Sequence, residues 1–371
     1  MERTKSSYVV SVIVPTYNEA DNIEVTILKV SSIFDDMQIR SEIIVVDDNS
    51  HDGTPEIAES LSDKYPVRVY VRKNERGLAT AVMKGFELAR GDICLVMDAD
   101  LSHPLDKIPE MINPILQGKC DMTVGSRYIT GGGCAGWPLR RKMISKVSGL
   151  LARGLTNLSD ATSGFMAIKR SLLNGVKLDP VGWKIVLETI VRLQPRFIEI
   201  PIMFVDRQKG ESKLNAKARL EYLFHLWKLY SYKYQAIFQF IRFCLVGFSG
   251  LVIDTFILVS LVEIVSFDPR IAAVFSFSGA VSWNYIFNRI WTFESGKYTS
   301  RVYSYISFFT ICVIGLGIRI GVMHLLLEYT GMGKGRLYVL ASILGILSAT
   351  IFNFLGSKYI SFSSRIWFSR E

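Results

Sequence analysis

Cysteine is scarce and poorly placed for chemistry: the five in 371 residues, Cys94, Cys120, Cys134, Cys244 and Cys312, include no CxxC pair. That spacing argues against a disulfide framework and against a zinc site. No signal peptide opens the chain, because MERTKSS is followed at once by a strand-like run rather than by an apolar h-region and cleavage site; the N-terminal part is expected to stay in the cytosol. Charge runs short toward the end, where residues 237–371 hold 17 Lys, Arg, Asp and Glu against 60 in residues 1–236. With 49% hydrophobic and 21% charged residues and a mean hydropathy of +0.27, the chain is too apolar for an ordinary soluble domain and too charged for a wholly embedded one. A soluble part followed by a membrane part fits. No RNA or DNA motif accompanies the net charge of +9, so phosphate at a membrane surface is the expected partner and nucleic acid is not.

The charge is unevenly divided. Residues 1–126 sum to −8, 127–236 to +12 and 237–371 to +5. In the acidic third, β-branched runs at 8–15, 42–48, 67–72, 93–100 and 120–127 predict strands, and 19–34, 54–64, 77–90 and 105–117 predict helices. Strands joined by helical crossovers imply a mostly parallel sheet with helices on both faces, whose ligands bind beyond the carboxyl ends of the strands. The polar clusters Pro15–Glu19, Asp47–Ser50 and Asp98–Asp100 all fall at such ends.

In the basic third a glycine-rich loop (131–138) precedes two basic amphipathic segments. Ile144, Val147, Leu151 and Leu155 form a stripe over 140–158; Leu220, Phe224, Trp227 and Tyr234 form one over 216–235. Such helices lie in a membrane interface. Beyond them, apolar stretches at 243–265, 271–292, 304–327 and 337–360 are each long enough to span about 30 Å of hydrocarbon. Four spans make two hairpins, and the modest Lys and Arg bias of their connections puts both termini on the cytosolic side. Asp254 and Arg319, at matched depth, are expected to pair, and Asn284, Asn288 and Asn353 to bond between helices.

The most informative short motif is DAD at 98–100, ending an apolar strand. Two carboxylates one residue apart can reach a hard divalent cation, which can then bridge to a diphosphate. A second acidic cluster, Asp47-Asp48-Asn49-Ser50, ends another strand and precedes Asp52-Gly53-Thr54 at a helix start.

The segments VSVIVPTYNEADNI, EIIVVDDNSHDGT, RGLATAVMKGFELARGD, LVMDADLSHP and DATSGFMAIKR resemble the family-2 glycosyltransferases of GT-A fold, and among them the dolichol-phosphate mannose synthases. Residues 240–362, with FCLVGFSGLVIDTFIL and WNYIFNRIWTF, resemble the GtrA-like four-helix membrane domain. The resemblance implies an α/β GT-A (Rossmann-like) catalytic domain over 1–215, an amphipathic interfacial helix over 216–236 and an all-α transmembrane domain over 237–371.

It also implies roles. Pro15, Tyr17, Glu19, Asp47 and Asp48 would line the nucleotide pocket; Asp98 and Asp100 would contact donor and metal, Mg²⁺ or Mn²⁺, with Ser102 standing where many members carry a Gln ligand and with His103 as a further substitute. Arg127, Arg141 and Ser145 would hold the lipid phosphate, Arg127 also counting among the catalytic residues. Lys184, Arg207 and Lys213 would serve the donor, the last two over its diphosphate, and Glu188 matches a further family position. The implied reaction moves mannose from GDP-mannose to dolichyl or polyprenyl phosphate with inversion, at the cytosolic face of the cell membrane among its lipids. UDP-glucose as donor is the nearest alternative, and a lipid-linked sugar flippase with a regulatory soluble domain the more distant one.

Overall fold

The computed structural model describes residues 9–182, 184–205, 216–293, 295, 299–330 and 337–363. The chain divides between Lys233 and Tyr234 into two compact units.

The first unit is built on a seven-stranded sheet of order β3-β2-β1-β4-β7-β5-β8. Its strands are β1 (Val10–Thr16), β2 (Ser41–Asp47), β3 (Val67–Val71), β4 (Ile93–Val96), β5 (Met122–Ser126), β7 (Met166–Lys169) and β8 (Phe197–Pro201); β6 (Gly133–Ala135) and β9 (Met203–Val205) form a separate parallel pair. Every residue of β1 and β2 is buried, as expected of central parallel strands covered on both faces. The helices are α1 (Ala20–Asp36), α2 (Thr54–Ser60), α3 (Leu78–Leu88), α4 (Ile108–Leu116), α5 (Leu139–Ala152), α6 (Ile185–Leu193) and α7 (Ala216–Lys233). In α1, Ile23, Ile27, Val30 and Phe34 recur at helical spacing and are all buried.

The predicted parallel sheet is present, with one departure. β7 runs antiparallel to both β4 and β5, so residues 160–165 reach the sheet from the edge where the other strands release their loops. The strand expected over 93–100 stops at Val96, which leaves DAD in the turn beyond it.

The helix expected over 140–158 ends at Ala152, and its apolar residues face outward: Leu139, Met143, Val147, Leu150 and Leu151 are exposed, whereas Leu155 is buried. In α7 likewise Leu220, Phe224 and Trp227 are exposed, and Tyr222, His225, Leu226 and Leu229 pack inward. The two segments are tied side by side, since the Tyr222 hydroxyl donates to Ser148 O at 2.6 Å, that of Tyr230 to Leu151 O at 2.8 Å and Lys233 Nζ to Leu155 O at 2.7 Å. Both expose an apolar strip that none of the described residues of their own unit covers.

The second unit contains α8 (Gln235–Glu263), α9 (Pro269–Phe287), α10 (Arg301–Tyr329) and α11 (Tyr338–Gly356). Three described helical stretches, Gln235–Glu263, Arg301–Tyr329 and Ile343–Ser361, are long and apolar enough to cross a membrane. α9, with Arg270, three serines, Trp283 and Asn284, is less apolar than the span expected there.

The unit repeats itself. α9 and α11 each end in a π-helical turn, Asn288–Thr292 and Ser357–Ser361. Tyr285 stacks on Phe362 at 5.9 Å as Phe354 meets Phe293 at 5.9 Å, Tyr305 meets Tyr285 at 5.1 Å as Phe240 meets Phe354 at 5.1 Å, and Phe293 and Phe362 stack on each other at 5.1 Å. A Cβ on Gly250 would lie 2.2 Å from Asn284 Oδ1, and one on Gly315 would lie 2.1 Å from Asn353 Oδ1. The asparagines therefore fill glycine notches, rather than bonding between helices through Oδ1. Asp254 and Arg319 each sit one turn beyond those glycines, in equivalent places of the two halves. No ion pair joins them, contrary to the sequence expectation: pseudo-symmetry relates the two side chains without bringing them together.

Candidate active site

The loop after β2 binds the start of α1. Ser50 Oγ accepts from Asn18 N at 2.8 Å, Thr54 Oγ1 from Glu19 N at 2.9 Å and Asp52 Oδ2 from Ala20 N at 3.0 Å. These are helix-start donors that no intrahelical carbonyl can reach, so DNSHDGT caps a helix from outside it. Asp47 is fully buried and accepts from Thr16 Oγ1 at 2.8 Å, Ser50 N at 2.7 Å and Ser50 Oγ at 2.6 Å. Asp48 takes Arg72 Nε at 2.8 Å, Arg72 Nη2 and Gly77 N at 2.7 Å.

Arg72, which the sequence reading missed, is itself buried and also donates to Thr80 Oγ1 at 2.9 Å and Gly77 O at 2.9 Å. Pro15 is buried in β1, Tyr17 carries the Arg76 guanidinium 3.8 Å over its ring, and Glu19 accepts from Asn22 Nδ2 at 2.9 Å. The five predicted nucleotide residues thus gather at the ends of β1 and β2.

Just past β4, Leu101 adopts φ 59°, a left-handed conformation that costs an L-residue about 1–2 kcal/mol. This turn lets Ser102 N donate to Asp100 Oδ1 at 3.0 Å. Ser102 Oγ is buried without a hydrogen-bond partner among the described residues. His103 lies flat on Phe165, ring centroids 5.0 Å apart, and its Nδ1 accepts the Asp98 N–H at 3.1 Å. That bond puts the proton of a neutral ring on Nε2, 3.8 Å from Asp98 Oδ2. A ring so engaged holds Asp98 in place, its Nδ1 lone pair taken by the backbone.

The basic third converges on a second cluster. The Arg127 fork grips Asp160, Nε to Oδ2 at 2.6 Å and Nη2 to Oδ1 at 2.7 Å, and Nη2 also donates to Thr162 Oγ1 at 2.7 Å. Thr162 Oγ1 lies 3.1 Å from Ser145 Oγ. Arg141, one turn before Ser145 on α5, stacks over Trp137 at 4.0 Å, and Arg127 is 5.0 Å from the same ring. Burial pushes the Asp160 carboxyl upward, but the Arg127 pair outweighs it and holds it below its ordinary range. Burial pulls on the Arg127 guanidinium, and Asp160 more than restores it.

Arg127, Arg141 and Ser145 are therefore neighbours, as the resemblance implies. Asp160, Thr162 and Trp137 are the members it did not single out; their sequence signals are DATSGF and GWPLRR.

Lys184, which the resemblance assigned to the donor, lies against this cluster. Its Nζ lies 3.5 Å from Thr162 O, and burial, helped by Arg127, lowers its pKa from 10.5 to about 7. Between those values the unfolded chain binds a proton that the folded chain does not, so stability rises with pH from about 7 to about 10.5 and is flat below. Lys184→Met is expected to remove that rise, stabilising the protein more at pH 6 than at pH 10; parallel denaturation curves at the two pH values, offset equally, would contradict it.

Glu188 is fully buried and far from ligand geometry: it accepts from Asp179 N at 2.9 Å and from Arg192 Nε, and lies 2.8 Å from His225 Nε2. It fastens α7 to α6. Arg207 and Lys213 lie outside the described residues.

The two clusters adjoin. Phe204 of β9 is 5.9 Å from the His103 ring, 5.5 Å from Trp137 and 5.4 Å from the Arg127 guanidinium, and a Cβ on Gly164 would lie 4.0 Å from Asp98 Oδ2. A carboxylate turn and a buried cation cluster thus share one wall.

Residues 11–176 match the family described as Glycosyl transferase family 2, and residues 242–362 match the GtrA/DPMS transmembrane domain. The chain is thus an enzyme of the glycosyltransferase class, and a membrane protein. It is similar to the dolichol-phosphate mannosyltransferase of Pyrococcus furiosus, 34% identical over 360 residues that cover 96% of this chain and 99% of that one. The dolichol-phosphate mannosyltransferase of Saccharomyces cerevisiae is 40% identical over 238 residues, 61% of this chain and 88% of its own. Among solved structures, mannosyl-3-phosphoglycerate synthase from Rubrobacter xylanophilus aligns with a TM-score of 0.48 and 18% identity over 61% of this chain and 74% of that one. The near full-length identity to the first relative makes this chain a member of the dolichol-phosphate mannosyltransferase family.

Proposed function

We propose that the chain transfers mannose from GDP-mannose to dolichyl or polyprenyl phosphate at the cytosolic membrane face, releasing GDP. One observation carries the reading: a two-carboxylate turn at a strand end adjoins a cluster of buried Arg127 and Lys184 with half-buried Arg141, suited to a donor diphosphate on one side and an acceptor phosphate on the other. The relatives' names support the sugar and the acceptor.

Asp98, Asp100 and Ser102 are the residues that would hold a divalent cation, Mg²⁺ or Mn²⁺. The buried, unpartnered Ser102 hydroxyl beside two carboxylates fits such a hard ion, which takes oxygen ligands and leaves further positions to phosphate and water. No group of three or more His, Cys, Asp or Glu suited to a metal exists among the described residues, so protein donors would fill only part of the shell. When bound, the cation supplies charge neutralisation of the leaving diphosphate. Ser102→Ala is expected to raise the metal concentration needed for half-maximal turnover several-fold while leaving the maximal rate within about twofold; an unchanged metal requirement would remove Ser102 from the shell.

The acceptor phosphate, with a second pKa of about 6, is already an anionic nucleophile at neutral pH. No general base is needed, and a single in-line displacement inverts the anomeric centre. Arg127, its Nε and Nη2 taken by Asp160 and Thr162, would turn its remaining guanidinium edge to the phosphate beside the Arg141 guanidinium and the Ser145 hydroxyl. These cations offset the repulsion between two anionic substrates.

The exposed apolar strips of α5 and α7 would dock the catalytic unit on the bilayer interface, and α8 to α11 would cross it four times with both termini cytosolic. Purified protein given polyprenyl phosphate, a divalent metal and radiolabelled GDP-mannose, UDP-glucose or UDP-GlcNAc in turn tests the assignment. Label should enter the lipid from GDP-mannose; transfer from UDP-glucose alone would reject it.

A further inference from the structure

Residues 131–140 form an exposed, glycine-rich excursion in which Trp137 is the only buried residue. Gly136 before it has φ 75°, a left-handed turn suited to glycine, and Pro138 follows as the N-cap of α5. The chain is thus bent to drive one large side chain inward.

The indole contacts two cations, Arg141 at 4.0 Å and Arg127 at 5.0 Å from the ring centroid, with Phe204 edge-on at 5.5 Å. Its π face attracts both guanidinium groups and holds them near one another despite their like charge. Phenylalanine or tyrosine would offer a face as well. What distinguishes tryptophan is Nε1–H, and that group is buried with no hydrogen-bond partner among the described residues. An indole nitrogen can only donate, and buried donors are normally paired. The missing partner is therefore an acceptor, in a place where two arginines favour an anion.

We infer that Trp137 is a ligand of the acceptor substrate: its Nε1–H donates to an oxygen of the lipid phosphate held beside Arg127 and Arg141, while its ring fixes the spacing of those two cations. The inference rests on the proposed reading of this cluster as the acceptor site. A prenyl tail, which accepts no hydrogen bond, would leave the indole nitrogen unpaired. The donor diphosphate is the other available phosphate, and the kinetic split below separates the two.

The test uses the full-length enzyme in nanodiscs with two substitutions that remove the donor, Trp137→Phe, which keeps a smaller aromatic face, and a 3-benzothienylalanine at position 137, which keeps the bicycle and replaces only N–H by sulfur. The KM for polyprenyl phosphate should rise about tenfold in both, with the KM for the nucleotide sugar unchanged. An unchanged acceptor KM in either variant, or a rise confined to the donor, overturns the inference.

A second readout is independent of turnover. In protein labelled with 5-fluorotryptophan, the Trp137 resonance, assigned by its loss in a substituted protein, should shift on adding a short-chain prenyl phosphate and stay in place with the prenyl alcohol of the same length. Equal shifts with both compounds also overturn it. If wild-type protein transfers sugar to no polyprenyl phosphate, the functional reading fails instead, and the fluorine titration still decides whether Trp137 meets a phosphate.

Discussion

Asp100→Ala is expected to lower turnover about a thousandfold or more, equivalent to about 4 kcal/mol of lost transition-state stabilisation, with the fold intact. Asp100 stands in a turn, not in the sheet, and the bond its carboxylate receives from Ser102 N belongs to that turn alone. Removing it strips one of two carboxylates from the donor side without opening the core. The loss should appear in kcat, because neutralising the leaving diphosphate matters most as the glycosidic bond breaks. Raising the metal concentration should not restore it. Full activity at high metal, with only the metal requirement shifted, would reduce Asp100 to an auxiliary ligand.

The largest effect on stability is expected from Asp160→Ala. Asp160 is fully buried and answers an Arg127 side chain that is almost as deeply enclosed. Breaking a buried pair from one side leaves an uncompensated charge and costs about 3–5 kcal/mol. Arg127→Ala strands the carboxylate instead and should cost a similar amount. The double substitution Arg127→Met with Asp160→Leu removes both charges and should recover most of the stability, because it leaves neither ion alone. Chemical denaturation of the wild type, Arg127→Met, Asp160→Leu and the double variant closes the cycle. Additive losses would show that the pair is not the unit of stability, whatever its role toward a phosphate. Activity should stay lost in the double variant, which separates folding from function at the same position.

Much of the first unit was legible because physics writes it twice. The valine and isoleucine runs of β1, β2 and β4 must be buried on both faces, so their hydropathy is continuous and the helical crossovers stand out between them. The shorter β6, β7 and β9, of three or four residues each, carry no such signal, and the reversed direction of β7 appears in no local pattern. In the site, Asp98 and Asp100 were visible as a motif, whereas the backbone bond that commits the His103 ring to Asp98 was not, because only the turn creates it. Asp160, Thr162 and Trp137 act across segments distant in sequence. The approach of Lys184 to Thr162 is likewise a contact between distant segments. In the membrane unit a repeat signal was present, an asparagine nine residues before a phenylalanine at Asn284 and Phe293 and again at Asn353 and Phe362; the pairing expected for Asp254 and Arg319 overlooked it.

β7 has one more consequence. It lies beside β5 in the sheet, and Gly125 N donates to Phe165 O at 2.9 Å, so the chain leaves the sheet after Ser126 and returns to it at almost the same point. Everything between, including Arg127, Trp137, Arg141, Ser145, Asp160 and Thr162, forms a closed excursion whose two ends are pinned together. Such a segment can be altered without disturbing the register of the seven-stranded sheet, so long as β6 keeps its pairing with β9 and α5 its bonds to α7. On the proposed reading of this cluster as the acceptor site, choice of acceptor becomes modular: evolution, or a designer, could graft a different excursion onto the same sheet and obtain an enzyme that delivers its sugar elsewhere.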